Sequence, residues 1–183
     1  MIDTVLPLAL PGAFRIRLRR FTDPRGCLVK FFQEKAFHQL GLETELKECY
    51  FSISVQGVLR GLHFQTPPCD HAKMVFCLAG HVHDVLVDLR IGQSTYGCHE
   101  LLDLDAEKPD LIYIPRGLAH GFLAISQTAT MMYLVTSMHS PEHDAGIRWD
   151  SCGIDWGVKL PILSERDRQF PRLADFHSPF TNI

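Results

Sequence analysis

The stretch Gly57-Val58-Leu59-Arg60-Gly61-Leu62-His63-Phe64-Gln65 is answered by Pro115-Arg116-Gly117-Leu118-Ala119-His120-Gly121-Phe122, so two short, apolar, glycine-punctuated segments each carry a histidine. The chain around them has a period of two. Phe14-Arg15-Ile16-Arg17-Leu18-Arg19 alternates cleanly, which places its arginines on one face of a strand, expected to be solvated, and its apolar residues on the other. Further strands are predicted over 29–32, 49–54, 73–79, 83–88, 96–102, 110–114, 121–124 and 130–136, with Gly80, Gly92 and the Pro115/Gly117 pair at turns. Many short strands at near-regular spacing predict an all-β sandwich or closed barrel. Helical pattern is scarce. One short helix is expected over 33–40, with Ala36, Phe37 and Leu40 on its apolar side and Gly41 to stop it. Another should open at Ser164-Glu165-Arg166-Asp167, which matches a capping box. The segment after Pro171 has little periodicity and is expected to be loose or to pack on a neighbour.

Composition sets the outer limits. At 183 residues and 46% hydrophobic, the chain is predicted to fold as one domain over 1–183 with an ample core. Its 21 acidic and 18 basic side chains leave a net charge of −3, which offers no long-range attraction to nucleic acid or to an anionic membrane. The six cysteines show no Cys-x-x-Cys pair and are read as reduced thiols. The apolar run Leu6-Pro7-Leu8-Ala9-Leu10 follows Asp3 and is closed at once by proline and glycine, so it is read as neither a signal peptide nor a membrane span. A cytoplasmic location is the expectation.

The two histidine segments resemble a two-motif cupin whose metal site has been rewritten. The metal-binding pattern asks for Gly, five residues, then His-x-His, and later Pro-x-Gly-x-x-His-x-x-x-Asn. Here His63 and His120 are present, but Gln65 replaces the second histidine and Ala124 the asparagine. An amide is a poor substitute for an imidazole donor, so no metal is expected there and the two histidines suggest acid/base chemistry. The pair His81/His83 also has a spacing that can bind metal. No further donor is evident from the sequence, and the pair is read as structural.

Six segments in order resemble the dTDP-4-dehydrorhamnose 3,5-epimerase family: Asp23-Pro24-Arg25-Gly26, 57–65, Asp84-Val85-Leu86-Val87-Asp88-Leu89-Arg90, 114–123, Gly146-Ile147-Arg148-Trp149 and Leu163-Ser164-Glu165-Arg166-Asp167. The resemblance runs from about Phe14 to about Asp167. It implies a cupin jelly roll with a few short helices and a homodimer that exchanges N-terminal strands. It also implies cofactor-free epimerisation of a nucleotide-linked 4-keto-6-deoxy sugar. Such a reaction needs a base for the acidic hydrogen beside a ketone, a group that stabilises the enolate, and a proton returned on the opposite face.

By motif position, the resemblance implies His63 as the base, Asp167 as its carboxylate partner, Lys73 beside the C4 oxygen and Tyr133 as the proton donor. Read locally, Asp167 could instead complete a capping box, Lys73 could be a solvated strand lysine, and Tyr133 a core tyrosine with its hydroxyl satisfied. Arg60 and His120 would complete the pocket, and Arg60 and Arg25 suit a diphosphate through guanidinium geometry. Gln65, Phe21, Lys30, Glu48, Tyr50 and His139 are the remaining expected substrate contacts.

The chain departs from the family where the nucleotide is received: Lys30 replaces a glutamate, Glu48 and Tyr50 replace glutamine and asparagine, and Met138-His139 replace an aromatic pair. A reversed charge and a lost stacking surface leave a GDP- or CDP-linked sugar, or epimerisation at C3 or C5 alone, as alternatives to the dTDP-linked 3,5 reaction. A metal-dependent cupin enzyme and a non-catalytic sugar-binding cupin are the readings from other classes.

Overall fold

A computed structural model describes residues 1–181 of the chain. The predicted alternation becomes two antiparallel sheets. Six strands form the first: β1 (Ile2–Pro7), β2 (Phe14–Leu18), β5 (Glu48–Val55), β7 (Lys73–Ala79), β10 (Asp110–Ile114) and β12 (Thr128–Val135), in the order β1-β2-β10-β7-β12-β5. Five form the second: β6 (Leu59–Gln65), β8 (His81–Asp88), β9 (His99–Asp105), β11 (Leu118–Ala124) and β13 (Asp144–Gly146), in the order β13-β6-β11-β8-β9. The strands β3 (Arg20–Asp23) and β4 (Gly26–Val29) pair only with each other.

Side-chain parity sorts the apolar residues into three layers. Val75, Ile112 and Met131 of the first sheet meet Val82, Leu86 and Phe122 of the second in the central core. On the outer face of the second sheet, Val85, Val87, Ala119 and Leu123 are covered by Ile147, Trp156 and Phe180. On the outer face of the first, Ile16, Met74, Phe76 and Leu111 are covered by Phe37 and Leu42. Phe37 belongs to the short helix α1 (Glu34–His38), which ends ahead of Gly41, a residue at φ +72°. The second helix, α2 (Glu165–Gln169), starts at Ser164, whose hydroxyl accepts from the Asp167 backbone N–H.

Several local expectations are corrected. The strand expected over 29–32 is instead β4, which ends at Val29, because that segment turns to pair with β3 rather than joining a sheet. Strand β9 begins at His99 and not at position 96: Asp88 holds the preceding turn by accepting from Arg90 and from the Thr95 hydroxyl. Leu40 is 39% exposed rather than packed. Arg15 and Arg17 are not simply solvated, since both pair with the buried Asp110 carboxylate. The C-terminal segment is anchored on its own chain: Phe180 is buried, packs edge-on to Phe64, and its carbonyl accepts from Ile91 N–H at 2.8 Å. All six cysteines are free thiols. Among the described residues no helix is long and apolar enough to cross a membrane.

Candidate active site

A cavity of about 420 Å³ opens between the two sheets, a size that suits a small-molecule ligand. Strands β5, β6, β7, β11 and β12 supply Glu48, Tyr50, Arg60, His63, Lys73, His120 and Tyr133 to its wall. On a regular strand, residues three apart face opposite ways, yet Arg60 and His63 both line the cavity. The reason is a bulge. His120 pairs with His63 and Phe122 with Arg60, so β6 carries one extra residue there. Gly61 supplies the extra residue at φ +137°, and a Cβ on it would come within 2.5 Å of the Gly121 Cα. Only glycine fits a positive φ with so close a backbone neighbour.

The bulge also brings in the carboxylate. Gly61 N–H donates to Asp167 Oδ2 at 3.2 Å, and Asp167 Oδ1 lies 2.9 Å from His63 Nε2. The capping-box reading is therefore half right: the Asp167 backbone is capped by Ser164, but its side chain turns to His63 instead of closing the box. Burial raises the Asp167 carboxyl, but hydrogen bonds from His63, Gly61 and Ser164 together with the His63 charge outweigh it and hold the group below its ordinary range. His63 is pushed down by burial, which exceeds the upward pull of Asp167. A carboxylate that accepts from Nε2–H fixes the tautomer, leaving Nδ1 with its lone pair.

Lys73 is buried at the start of β7 and donates to the His63 carbonyl at 3.1 Å. Burial lowers its ammonium to about 8. Tyr133, on β12 beside β7 and facing the sheet that carries His63, is buried with its hydroxyl 3.3 Å from Ser52 Oγ, and burial raises the phenol well above its usual value. Tyr50 stacks on Tyr133 with ring centroids 4.8 Å apart. His120 forms a second buried pair, its Nε2 lying 2.6 Å from Asp84 Oδ2, and its ring meets Tyr133 edge-on.

Other expected contacts fare differently. Arg60 lines the cavity, held by Ser54 Oγ at 3.0 Å. Glu48 and His139 also line it, and the Glu48 carboxylate accepts from the His139 backbone N–H. Gln65 is on the wall, but its amide is spent on the protein: it donates to the Cys69 and Met138 carbonyls and accepts from Ser140 N–H. Its replacement of a metal-pattern histidine thus ties two loops together. Phe21, Arg25 and Lys30 are not brought to this cavity. Phe21 and Arg25 lie on the β3–β4 hairpin, which joins neither sheet, and Arg25 pairs with its neighbour Asp23 at 2.5 Å. The exposed Lys30 follows that hairpin directly.

Sequence reasoning missed His71, Asp144 and Arg166 on the wall. Burial lowers His71 to about 3, and Gln65 and Ser137 bond its Nδ1. Arg166 pairs with Asp144 and lies over the Phe170 ring, closing the cavity beside His63. Arg166 could have been found from its place next to Asp167 in the first turn of α2. His71 and Asp144 carry no such signal.

The arrangement offers a base oriented by a carboxylate, a cation and a neutral phenol around one cavity, with base and phenol on facing sheets. Residues 7–175 match the family model described as dTDP-4-dehydrorhamnose 3,5-epimerase. The chain is 40% identical to the dTDP-4-dehydrorhamnose 3,5-epimerase of Methanothermobacter thermautotrophicus, covering 91% of this chain and 92% of that one. It is 38% identical to a dTDP-4-dehydrorhamnose 3-epimerase of Streptomyces niveus, covering 92% and 83%. Its fold is similar to that of the dTDP-6-deoxy-D-glucose-3,5-epimerase of Legionella pneumophila, solved in complex with dTDP-4-keto-L-rhamnose, with a TM-score of 0.92 at 31% identity over 97% of this chain and 96% of that one. With its all-β, cupin-type jelly roll, the chain belongs to the dTDP-4-dehydrorhamnose 3,5-epimerase family of isomerases.

Proposed function

We propose that the protein epimerises dTDP-4-keto-6-deoxy-D-glucose at C3 and C5 by removing and returning protons beside the C4 ketone. The observation that carries this reading is the placement of the His63–Asp167 pair and Tyr133 on facing sheets around one cavity, with Lys73 between them in sequence and on the same wall. His63 Nδ1 takes the proton from carbon while Asp167 stabilises the imidazolium. Electron density moves to the C4 oxygen, where the Lys73 ammonium meets it. Tyr133, kept protonated by burial, delivers a proton from the other face. One proton leaves and one arrives, so the oxidation state is unchanged and the chemistry calls for no redox cofactor. Arg60 takes the diphosphate, and His120 with Asp84 sets the floor beneath the sugar.

A homodimer belongs to the same reading. Phe51, Ile53 and Val55 expose 64%, 59% and 57% of their surface along β5, an edge strand, and such a strand calls for a cover. The exposed β3–β4 hairpin would then carry Phe21 and Arg25 to the partner's cavity, as an exchange of N-terminal strands requires. Free thiols throughout favour a reducing, cytoplasmic location. Epimerisation at one centre only is the second reading, favoured by the Streptomyces niveus relative, a 3-epimerase.

The test is proton NMR of dTDP-4-keto-6-deoxy-D-glucose incubated with the protein. Ring couplings that report inversion at both C3 and C5 are expected. Inversion at C3 alone selects the second reading, and an unaltered sugar overturns both.

A further inference from the structure

We propose that His81, His83 and Asp103 form a divalent transition-metal site on the outer face of the five-stranded sheet, remote from the cavity that holds His63. The frame is strand pairing: β8 and β9 run antiparallel with His83 opposite Asp103 and His81 opposite Asp105. Side chains alternate along β8, and Val82 belongs to the central core, so His81 and His83 share the outer face. Asp105 is occupied elsewhere, its Oδ1 accepting from Glu107 N–H at 2.9 Å. Asp103 therefore serves both imidazoles: its Oδ1 is hydrogen-bonded to His81 Nε2 and lies 3.9 Å from His83 Nε2.

One donor atom from each of the three residues lies within 4.8 Å of the others. Donors on one tetrahedral ion, bound at about 2.0–2.2 Å, stand about 3.3–3.6 Å apart, so side-chain torsions need close a gap of only about an ångström. The two rings meet edge to face at 85°, which leaves neither covered by stacking. His83 turns its Nε2 toward Asp103, and that is the nitrogen it would offer the ion. Two imidazoles and one carboxylate suit zinc, cobalt, nickel or ferrous iron, whereas magnesium and calcium favour all-oxygen shells. Three protein ligands leave a position for water. The His-x-His spacing was visible in the sequence; the third donor comes from register on a strand some twenty positions away. Because β9 is an edge strand, the ion would clamp that edge to β8.

The test is calorimetric titration of the full chain with Ni²⁺ in a non-chelating buffer, alongside thermal unfolding with and without the ion. Wild type is expected to take up one equivalent and to melt higher with Ni²⁺ than without it. His83→Ala and Asp103→Asn should each weaken uptake at least about tenfold, the loss that even outer-shell partners cause. Unchanged affinity in both variants would assign the metal to other histidines or to thiols and overturn the proposal, as would no uptake by wild type. Matching metal-free melting curves check the fold, and His81→Gln provides a third variant should either of the others melt early.

Discussion

Replacing Asp167 by asparagine keeps the shape of the pair and removes its charge, and the surrounding bonds dictate the outcome. Gly61 N–H needs an acceptor, so the asparagine carbonyl turns to it and the amide nitrogen faces His63 Nε2. Since that amide can only donate, Nε2 must accept, which moves the ring proton to Nδ1 and blocks the atom assigned to take the substrate proton. The Asp167 side chain is 4% exposed and His63 26%, so solvent does little to replace the lost interaction. A hydrogen bond to a charged partner contributes about 1.5–3 kcal/mol, equivalent to a fall in kcat of about 10- to 150-fold before the tautomer change adds its own. The pH profile gives an independent sign. A base works above its pKa, and burial already holds His63 below its ordinary value of about 6.5 against the upward pull of Asp167. With that pull removed, the acid limb of kcat/KM should move to still lower pH while the plateau drops. The assay is solvent deuterium incorporation into dTDP-4-keto-6-deoxy-D-glucose, followed by rate across pH. A plateau above a third of wild type, or an acid limb that stays in place or moves up, would refute the reasoning.

Other residues carry separate expectations. Tyr133→Phe should keep deuterium exchange on the face served by His63 but lose inverted product, separable by comparing mass with NMR of the same sample; full inversion would remove Tyr133 from its role. Lys73 loses its proton as pH rises through about 8, so the kcat/KM of the free enzyme should fall on that alkaline side. In Lys73→Met that limb should vanish and kcat should drop about 10²- to 10³-fold, the usual cost of removing an oxyanion donor. Asp88 is fully buried and bonded by Arg90 and Thr95, so Asp88→Ala leaves the Arg90 guanidinium unpaired and should cost about 3–5 kcal/mol in denaturant unfolding. Burial raises the Asp88 carboxyl but its hydrogen bonds hold it below the usual range. Its stabilisation is therefore present above the unfolded pKa and lost as pH falls through the folded one.

Period-two alternation made β2 legible, and short apolar runs bounded by turn residues did the same for β7 and β10, which are buried on both faces and have the predicted bounds. Boundaries failed where a side chain or a local pairing overrode the pattern, as Asp88 does before β9 and the β3–β4 hairpin does after Gly26. Strand β1 was not read as a strand, and the apolar run noted at 6–10 overlaps only its end, because its pattern depends on pairing with β2. At the site, the histidine segments and Ser164–Asp167 could be read because each is a local motif. The His63–Asp167 contact could not, because it spans 104 positions and rests on a bulge that only backbone geometry discloses. His71 reaches the wall from a loop and Asp144 from the short strand β13 paired with β6, and neither leaves a mark on local spacing. Phe21, Arg25 and Lys30 were expected from motif position, but position along a chain does not tell that the β3–β4 hairpin joins neither sheet and leaves its own cavity.

The central claim is that His63 removes protons from carbons flanking the C4 ketone. Its most direct measurement is the mass of dTDP-4-keto-6-deoxy-D-glucose after incubation in heavy water with wild type and with His63→Ala. Two deuterons gained with wild type and none above background with His63→Ala is the predicted result. Equal incorporation by the two proteins, or none by either, would contradict it.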